Sequence, residues 1–178
     1  MLKKISIGIL IVIAIPFIAA LFIKTHYEVE RSVVINKPVS KVFSYVKLLQ
    51  NQNNYATWGM LDPNIKRSYS GVDGTVGFVS KWESDNPDVG VGEQEITSIT
   101  PNKRIEFELR FIKPFVATSP AYMTTSQSGD NSTKVSWGFK GHLDYPMNIM
   151  FLFIDFETQI GNDLQQGLNN LKENLDKR

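Results

Sequence analysis

Residues 147–176 read MNIMFLFIDFETQIGNDLQQGLNNLKENLD, and this stretch decides the fold of the chain. Its apolar residues recur at spacings of three and four, which places them on one face of an α-helix. The apolar stripe consists of Ile149, Phe153, Phe156, Ile160, Leu164, Leu168, Leu171 and Leu175. The sequence therefore predicts one long amphipathic helix from Met147 to about Asp176.

The segments before this helix predict strands with one helical interruption. The first strand is expected at about Tyr27–Ile35, a helix opens at Pro38, and a short second helix runs through Tyr55–Trp58. Six further strands are predicted at about Ile65–Ser70, Thr75–Ser84, Val91–Ile99, Arg104–Phe111, Ala117–Ser126 and Lys134–Leu143. The segments between them are short and rich in Gly, Pro, Asn and Asp, so neighbouring strands must be antiparallel.

Alternation along the strands predicts a sheet with one apolar face. Ile105 and Phe107, for example, alternate with Glu106 and Glu108. The expected fold class is α+β, with a curved antiparallel sheet of about seven strands wrapped around the long C-terminal helix. Because such an arrangement encloses apolar space, we expect a ligand cavity between helix and sheet.

The beginning of the chain predicts a membrane anchor. Ile5 to Ile23 contains nineteen residues without a charge, and as a helix it spans roughly 28 Å, close to the thickness of a bilayer core. A cleaved signal peptide is the alternative, although its apolar region is normally about 7–15 residues. We predict residues 1–24 as a transmembrane anchor and residues 25–178 as one domain. Lys3 and Lys4 favour a cytoplasmic amino terminus, which makes this a single-pass protein of the cell membrane with an extracytoplasmic domain.

Composition narrows the classes of function. The chain has 19 basic and 18 acidic residues and no cysteine, which excludes a disulfide framework and attachment of a lipid to cysteine. No basic run interleaved with aromatic residues occurs, so nucleic acid is not an expected partner. The expected partners are a small hydrophobic molecule or lipid, and the membrane through the N-terminal helix.

The order of elements, together with several local motifs, resembles the START-like (SRPBCC, helix-grip) superfamily. The resemblance covers roughly Glu28 to Lys172 and is strongest with a polyketide cyclase-like bacterial group. The matching residues are Trp58, Asp62-Pro63, Gly71–Gly77 (GVDGTVG), Trp82, Gly90–Ile99, Pro101–Ile105, Pro114-Phe115, Thr133–Trp137, Gly161 and Gly167–Lys172. This resemblance implies the helix-grip fold, whereas the superfamily's functions range over cyclases, lipid carriers, hormone receptors and chaperone cofactors.

Aromatic side chains are the candidates for the cavity wall, because ligand pockets are mostly apolar. The candidates are Trp58, Phe78, Trp82, Phe107, Tyr122, Trp137, Phe153 and Phe156. Filling of the core is the alternative role for each of them. Gly161 and Gly167 interrupt the last helix, where they predict either a close approach to the sheet or a weak point that lets the helix lift.

Candidate catalytic groups are few. His142 and Asp144 lie two residues apart near the end of the last strand and form a possible general-base pair. The acids that could be buried in the cavity and serve as site groups are Glu93, Glu95, Asp62 and Asp155. No nucleophile elbow, zinc, calcium or P-loop pattern is present, so no cofactor and no metal are expected.

Three functions remain open at this point. The leading hypothesis is a membrane-anchored domain that binds a small hydrophobic ligand or lipid without chemistry. The first alternative is a cyclase-like or hydrolase-like enzyme that uses Glu95 or the His142/Asp144 pair. The second alternative is a protein-interaction module with a solid interior.

Overall fold

The computed structural model describes residue 12 and residues 14–177. The strands are β1 (His26–Ile35), β2 (Lys66–Ser70), β3 (Val79–Glu83), β4 (Val91–Thr100), β5 (Arg104–Lys113), β6 (Ala117–Gly129) and β7 (Ser132–His142). The helices are α1 (Val39–Val46) and α2 (Phe156–Asp176), with short 3-10 turns at Leu49–Asn54, Trp58–Met60 and Met147–Leu152. The predicted α+β class is confirmed.

The seven strands form one antiparallel sheet in the order β1-β7-β6-β5-β4-β3-β2. Strand β1 pairs with β7 from His26 opposite His142 to Ile35 opposite Thr133. Strand β3 is shorter than the predicted Thr75–Ser84 because Gly77 has a φ of 86°, which turns the chain before the ladder begins at Val79. The predicted helix at Tyr55–Trp58 is also wrong, since the 3-10 turns flank Tyr55 on either side.

Helix α2 is shorter than predicted because Asp155 starts it. The Asp155 carboxylate accepts a hydrogen bond from the Thr158 backbone N–H at 3.0 Å and another from the Thr158 hydroxyl at 2.6 Å. Asp is a favoured N-cap residue, and its own backbone is not helical. Residues Met147–Leu152 therefore form a separate turn instead of continuing the helix.

The buried face of α2 forms the centre of the core. Leu164, Leu168 and Leu171 are almost completely buried, and the helix packs along β1 and reaches β7. Gly167 lies at a close approach of α2 to the sheet, as one of the two predicted roles requires, whereas Gly161 faces the end of the Arg31 side chain. A Cβ on Gly167 would lie 2.9 Å from Cζ3 of Trp137 and 3.4 Å from the Tyr55 carbonyl oxygen.

The chain before β1 is fastened to the domain by Asn148. Its buried amide donates to the carbonyl oxygens of Ala20 at 2.7 Å and Ile23 at 3.0 Å. Residues 14–20 are helical, and no helix within residues 12 and 14–177 is long and apolar enough to cross a membrane. Much of the predicted anchor, Ile5–Ile23, lies outside the described residues.

The two helix glycines give a matched test of this packing. We expect Gly167→Ala to destabilise the protein by about 1–2 kcal/mol, because overpacking against the Trp137 ring outweighs the helix propensity of alanine. Gly161→Ala is the control, since the three atoms nearest to a Cβ there belong to the end of the Arg31 side chain, which can move. Urea unfolding of both variants measures the difference. Equal effects of the two substitutions would contradict the close approach.

Candidate functional site

A cavity of about 390 Å³ lies between the inner face of the sheet, α2 and the two 3-10 turns after α1. Leu49, Ala56, Leu109, Phe139 and Leu164 contribute to its apolar wall. It reaches the surface at the β5–β6 hairpin, because Phe115 lines it and is 71% exposed. Its size falls within the range of ligand pockets, roughly 300–1,000 Å³.

All three tryptophans of the chain line this cavity. Trp82 lies over Gly92, where a Cβ would come within 2.5 Å of its ring. Its indole N–H donates to the Val89 carbonyl at 3.2 Å, and its ring makes an edge contact with Phe111 at 6.1 Å between centroids. The missing side chain at position 92 thus lets the Trp82 ring rest against the sheet.

Trp58 and Trp137 meet on the helix side of the cavity. Their ring centroids lie 6.4 Å apart in an edge arrangement, and Tyr55 makes a similar contact with Trp137 at 5.8 Å. The Trp58 indole donates to the carboxylate of Asp163 on α2. Burial raises the pKa of Asp163, and this hydrogen bond opposes the rise. A partly buried carboxylate therefore holds one aromatic wall in place.

The cavity wall also contains polar groups. Arg67 of β2, Ser80 of β3 and Gln94 of β4 lie on the inner face of neighbouring strands, and Gln52 comes from the turn above them. An Arg67 terminal nitrogen donates to the Gly59 carbonyl at 2.7 Å. The side-chain nitrogen of Gln52 is buried and has no hydrogen-bond partner among the described residues.

The other predicted aromatic residues lie elsewhere. Phe78 and Phe107 are 1–2% exposed and belong to the hydrophobic core. Phe153 is 81% exposed, and Phe156 packs against Tyr27 and Phe151 at the start of α2. These two residues line a separate pocket beside Lys24. Phe153 and Phe156 thus lie outside the wall of the larger cavity.

Tyr122 lies on the outer face of the sheet, because it alternates along β6 with Ala121, which lines the cavity. Its hydroxyl donates to the Glu30 carboxylate at 2.7 Å, and the Arg104 guanidinium lies 4.0 Å from the centre of its ring. Burial, and then the carboxylates of Glu30 and Glu28, raise the pKa of Tyr122. Tyr122 therefore belongs to a network of polar contacts on the surface opposite the cavity.

The candidate acids are also outside the cavity wall. Glu93 and Glu95 lie on the outer face, where Arg110 donates to them at 2.7 and 2.8 Å. Hydrogen bonds from Arg110, then from Lys81, lower the pKa of Glu93, which is the reverse of the raised pKa expected for a buried general acid. Asp62 accepts a hydrogen bond from the Ser84 hydroxyl, which lowers its pKa, and Asp155 caps α2.

The predicted His142/Asp144 pair forms, with Nε2 of His142 2.7 Å from a carboxylate oxygen of Asp144. Both side chains are exposed, and neither lines the cavity. The His26 ring lies 4.1 Å from the His142 ring. Among the described residues, no group of three or more potential ligands could hold a metal ion.

The sequence reasoning missed Arg67, Gln52 and Gln94 as cavity residues. For Gln94 a signal was present, since it alternates with Glu93 and Glu95 and shares its face with the buried Ile96. Arg67 offered no such signal, because β2 reads KRSYS and has no apolar face to set its orientation.

The family model for "Polyketide cyclase / dehydrase and lipid transport" matches residues 26–176. The chain belongs to this family. Its fold is the helix-grip of the START-like superfamily, as the resemblance implied. A search of curated proteins finds no match. The match spans the whole sheet and α2, so it covers every strand that lines the cavity.

Solved structures share this fold at low identity. Truncated norcoclaurine synthase from Thalictrum flavum is 9% identical, with a TM-score of 0.62 over 86% of this chain and 95% of that chain. Protein Mll3558 from Rhizobium loti is 18% identical, with a TM-score of 0.60 over 84% and 97%. The Aha1 dimer from Colwellia psychrerythraea is 15% identical, with a TM-score of 0.56 over 84% and 96%. At these identities the solved structures share architecture with this chain, and the likeness carries no substrate or activity.

The contact between Trp58 and Asp163 predicts a pH-dependent stability. Because burial raises the pKa of Asp163 in the folded state, its ionisation costs stability as the pH rises through that pKa. We expect Asp163→Asn to be more stable than the wild type at neutral pH. This gain should disappear below about pH 4, where residue 163 is uncharged in both the wild type and the variant. Urea unfolding across this pH range measures it. A gain that persists at acidic pH would contradict this cause.

Proposed function

We propose that this protein binds a small hydrophobic molecule or lipid in the cavity beneath α2 and carries out no reaction on it. The observation that carries the proposal is an open cavity of about 390 Å³ with three tryptophans in its wall. Rigid aromatic walls contribute large apolar contact areas. The protein thereby removes the apolar part of a poorly soluble molecule from water.

The positions of the candidate acids favour binding over catalysis. A general acid or base must come within about 3 Å of the reacting group. Glu95 is paired with Arg110 on the opposite face of the sheet, and the His142/Asp144 pair is exposed at the end of β7. The size of the cavity also favours ligand binding over an interaction module with a solid interior.

The membrane anchor is part of the same proposal. Ile5–Ile23 supplies an uncharged stretch of suitable length, and within it Phe17, Ile18, Leu21 and Phe22 are 46–85% exposed. The Asn148 amide and the ion pair between Lys24 and Glu157 hold the end of this stretch against the domain. This end of the sheet, where β1 starts and β7 ends, also carries the β5–β6 hairpin at which the cavity opens. The cavity would therefore open close to the bilayer.

Filling the cavity tests the binding function. Ala121 lies on the inner face of β6 and lines the cavity, so we expect Ala121→Phe to weaken binding of the neutral dye N-phenylnaphthylamine about tenfold by steric exclusion. Energy transfer from tryptophan to the dye, in full-length protein, measures binding inside the cavity.

Met123→Phe is the matched control, because Met123 is buried on the same face of the same strand but does not line the cavity. It is expected to lower stability and to leave dye binding unchanged. If Ala121→Phe bound the dye as well as the wild type, the cavity would not be the binding site.

The proposed orientation is testable because the chain has no cysteine. Ser128, an exposed residue of β6, is expected to react as Ser128→Cys with a membrane-impermeant maleimide on intact cells. Lys3→Cys is the control for the opposite side and should react only after lysis. Labelling of Ser128→Cys only after lysis would contradict an extracytoplasmic domain.

A further inference from the structure

Arg67 is a charged group in a mostly apolar wall. It lies on the inner face of β2, opposite Trp82 on β3. Its guanidinium makes one hydrogen bond, to the Gly59 carbonyl, and no carboxylate within the described residues forms an ion pair with it. A guanidinium has five N–H donors, so most of its donors are left for another partner.

A second donor on the same cavity lacks a partner. Gln52 is 8% exposed, and its side-chain nitrogen has no hydrogen-bond acceptor among the described residues. An unsatisfied buried donor costs about 1–3 kcal/mol. Arg67 and Gln52 come from separate elements, β2 and the turn at Leu49–Asn54, and both line the cavity.

The charges of the wall favour an anion. Arg67 and Lys113 are its basic residues and Asp88 is its acidic residue, so the wall carries one net positive charge. A wholly apolar ligand would remove water from the Arg67 guanidinium without replacing the lost hydrogen bonds, which is costly. Carboxylate and phosphate groups match the planar donor fork of arginine.

We infer that the ligand is an amphiphile whose oxyanion head, a carboxylate or a phosphate, binds Arg67 and accepts a hydrogen bond from Gln52. Its apolar chain lies along Trp82, Leu109 and Phe111 of the same wall. This inference rests on the proposed function and specifies the class of ligand.

Tryptophan quenching reports binding at this site, because every tryptophan of the chain lines the cavity. The probes are ω-bromododecanoate, ω-bromododecyl phosphate and ω-bromododecanol, which share one brominated chain and differ in the head group. The protein is the full-length chain, kept soluble with a non-ionic fluorinated surfactant. We expect both anions to quench at concentrations about tenfold or more below that of the alcohol, and their order shows whether carboxylate or phosphate is preferred.

Substitution of Arg67 separates the head group from the chain. Arg67→Met is expected to weaken binding of the two anions about tenfold or more and to change binding of the alcohol less than about twofold. Arg104→Met is the matched control, because Arg104 lies over Tyr122 on the outer face of the sheet. It is expected to leave the binding of all three probes unchanged.

Arg67→Met also removes the hydrogen bond to the Gly59 carbonyl. Gln52→Leu is a second variant that tests the head-group site and leaves this hydrogen bond intact. We expect it to raise the melting temperature of the ligand-free protein by removing the unpartnered donor, and to weaken binding of the anions severalfold. Equal quenching by anions and alcohol in the wild type, unchanged in Arg67→Met, would overturn the inference and leave the proposed function standing. No quenching by any probe would contradict the proposed function as well.

Discussion

A single helix cannot cover a sheet of seven strands, and the cavity follows from this mismatch. A helix with its side chains is about 10–12 Å wide, whereas seven strands spaced about 4.8 Å apart extend over roughly 30 Å. Helix α2 packs along β1 at one edge and reaches β7. The inner face of β2 to β5 is left to the short turns after α1, and the space enclosed by these turns, α2 and the sheet is the cavity.

The side chains around this space determine its shape and polarity. Trp137 fills the gap under Gly167, Trp82 rests against Gly92, and Asp163 holds Trp58. The aromatic wall is thus fixed by the backbone and by α2, while Arg67 and Gln52 provide donors within it. A mostly apolar wall with one net positive charge is suited to an amphiphile, which ties the proposed function to the inferred class of ligand.

The sequence predicted the elements better than the site. Period-two alternation placed Ile105 and Phe107 in the core, and both are buried. Helix α2 was predicted too long because Asp155 acts as a cap within an apolar run. The residues of the cavity wall could be predicted only in part. An aromatic residue that fills the core and one that lines a cavity occur in the same alternating sequence pattern. Tyr122 shows a further limit: it follows the cavity-lining Ala121 in β6 and therefore points to the opposite face.

The most direct test is native mass spectrometry of the full-length protein purified from the cells that express it, followed by organic extraction of whatever is bound. We expect a stoichiometric amphiphile with a carboxylate or phosphate head, at lower occupancy in the Ala121→Phe variant. A wild-type protein that carries no such molecule, and that remains empty after incubation with a total lipid extract, would contradict this expectation.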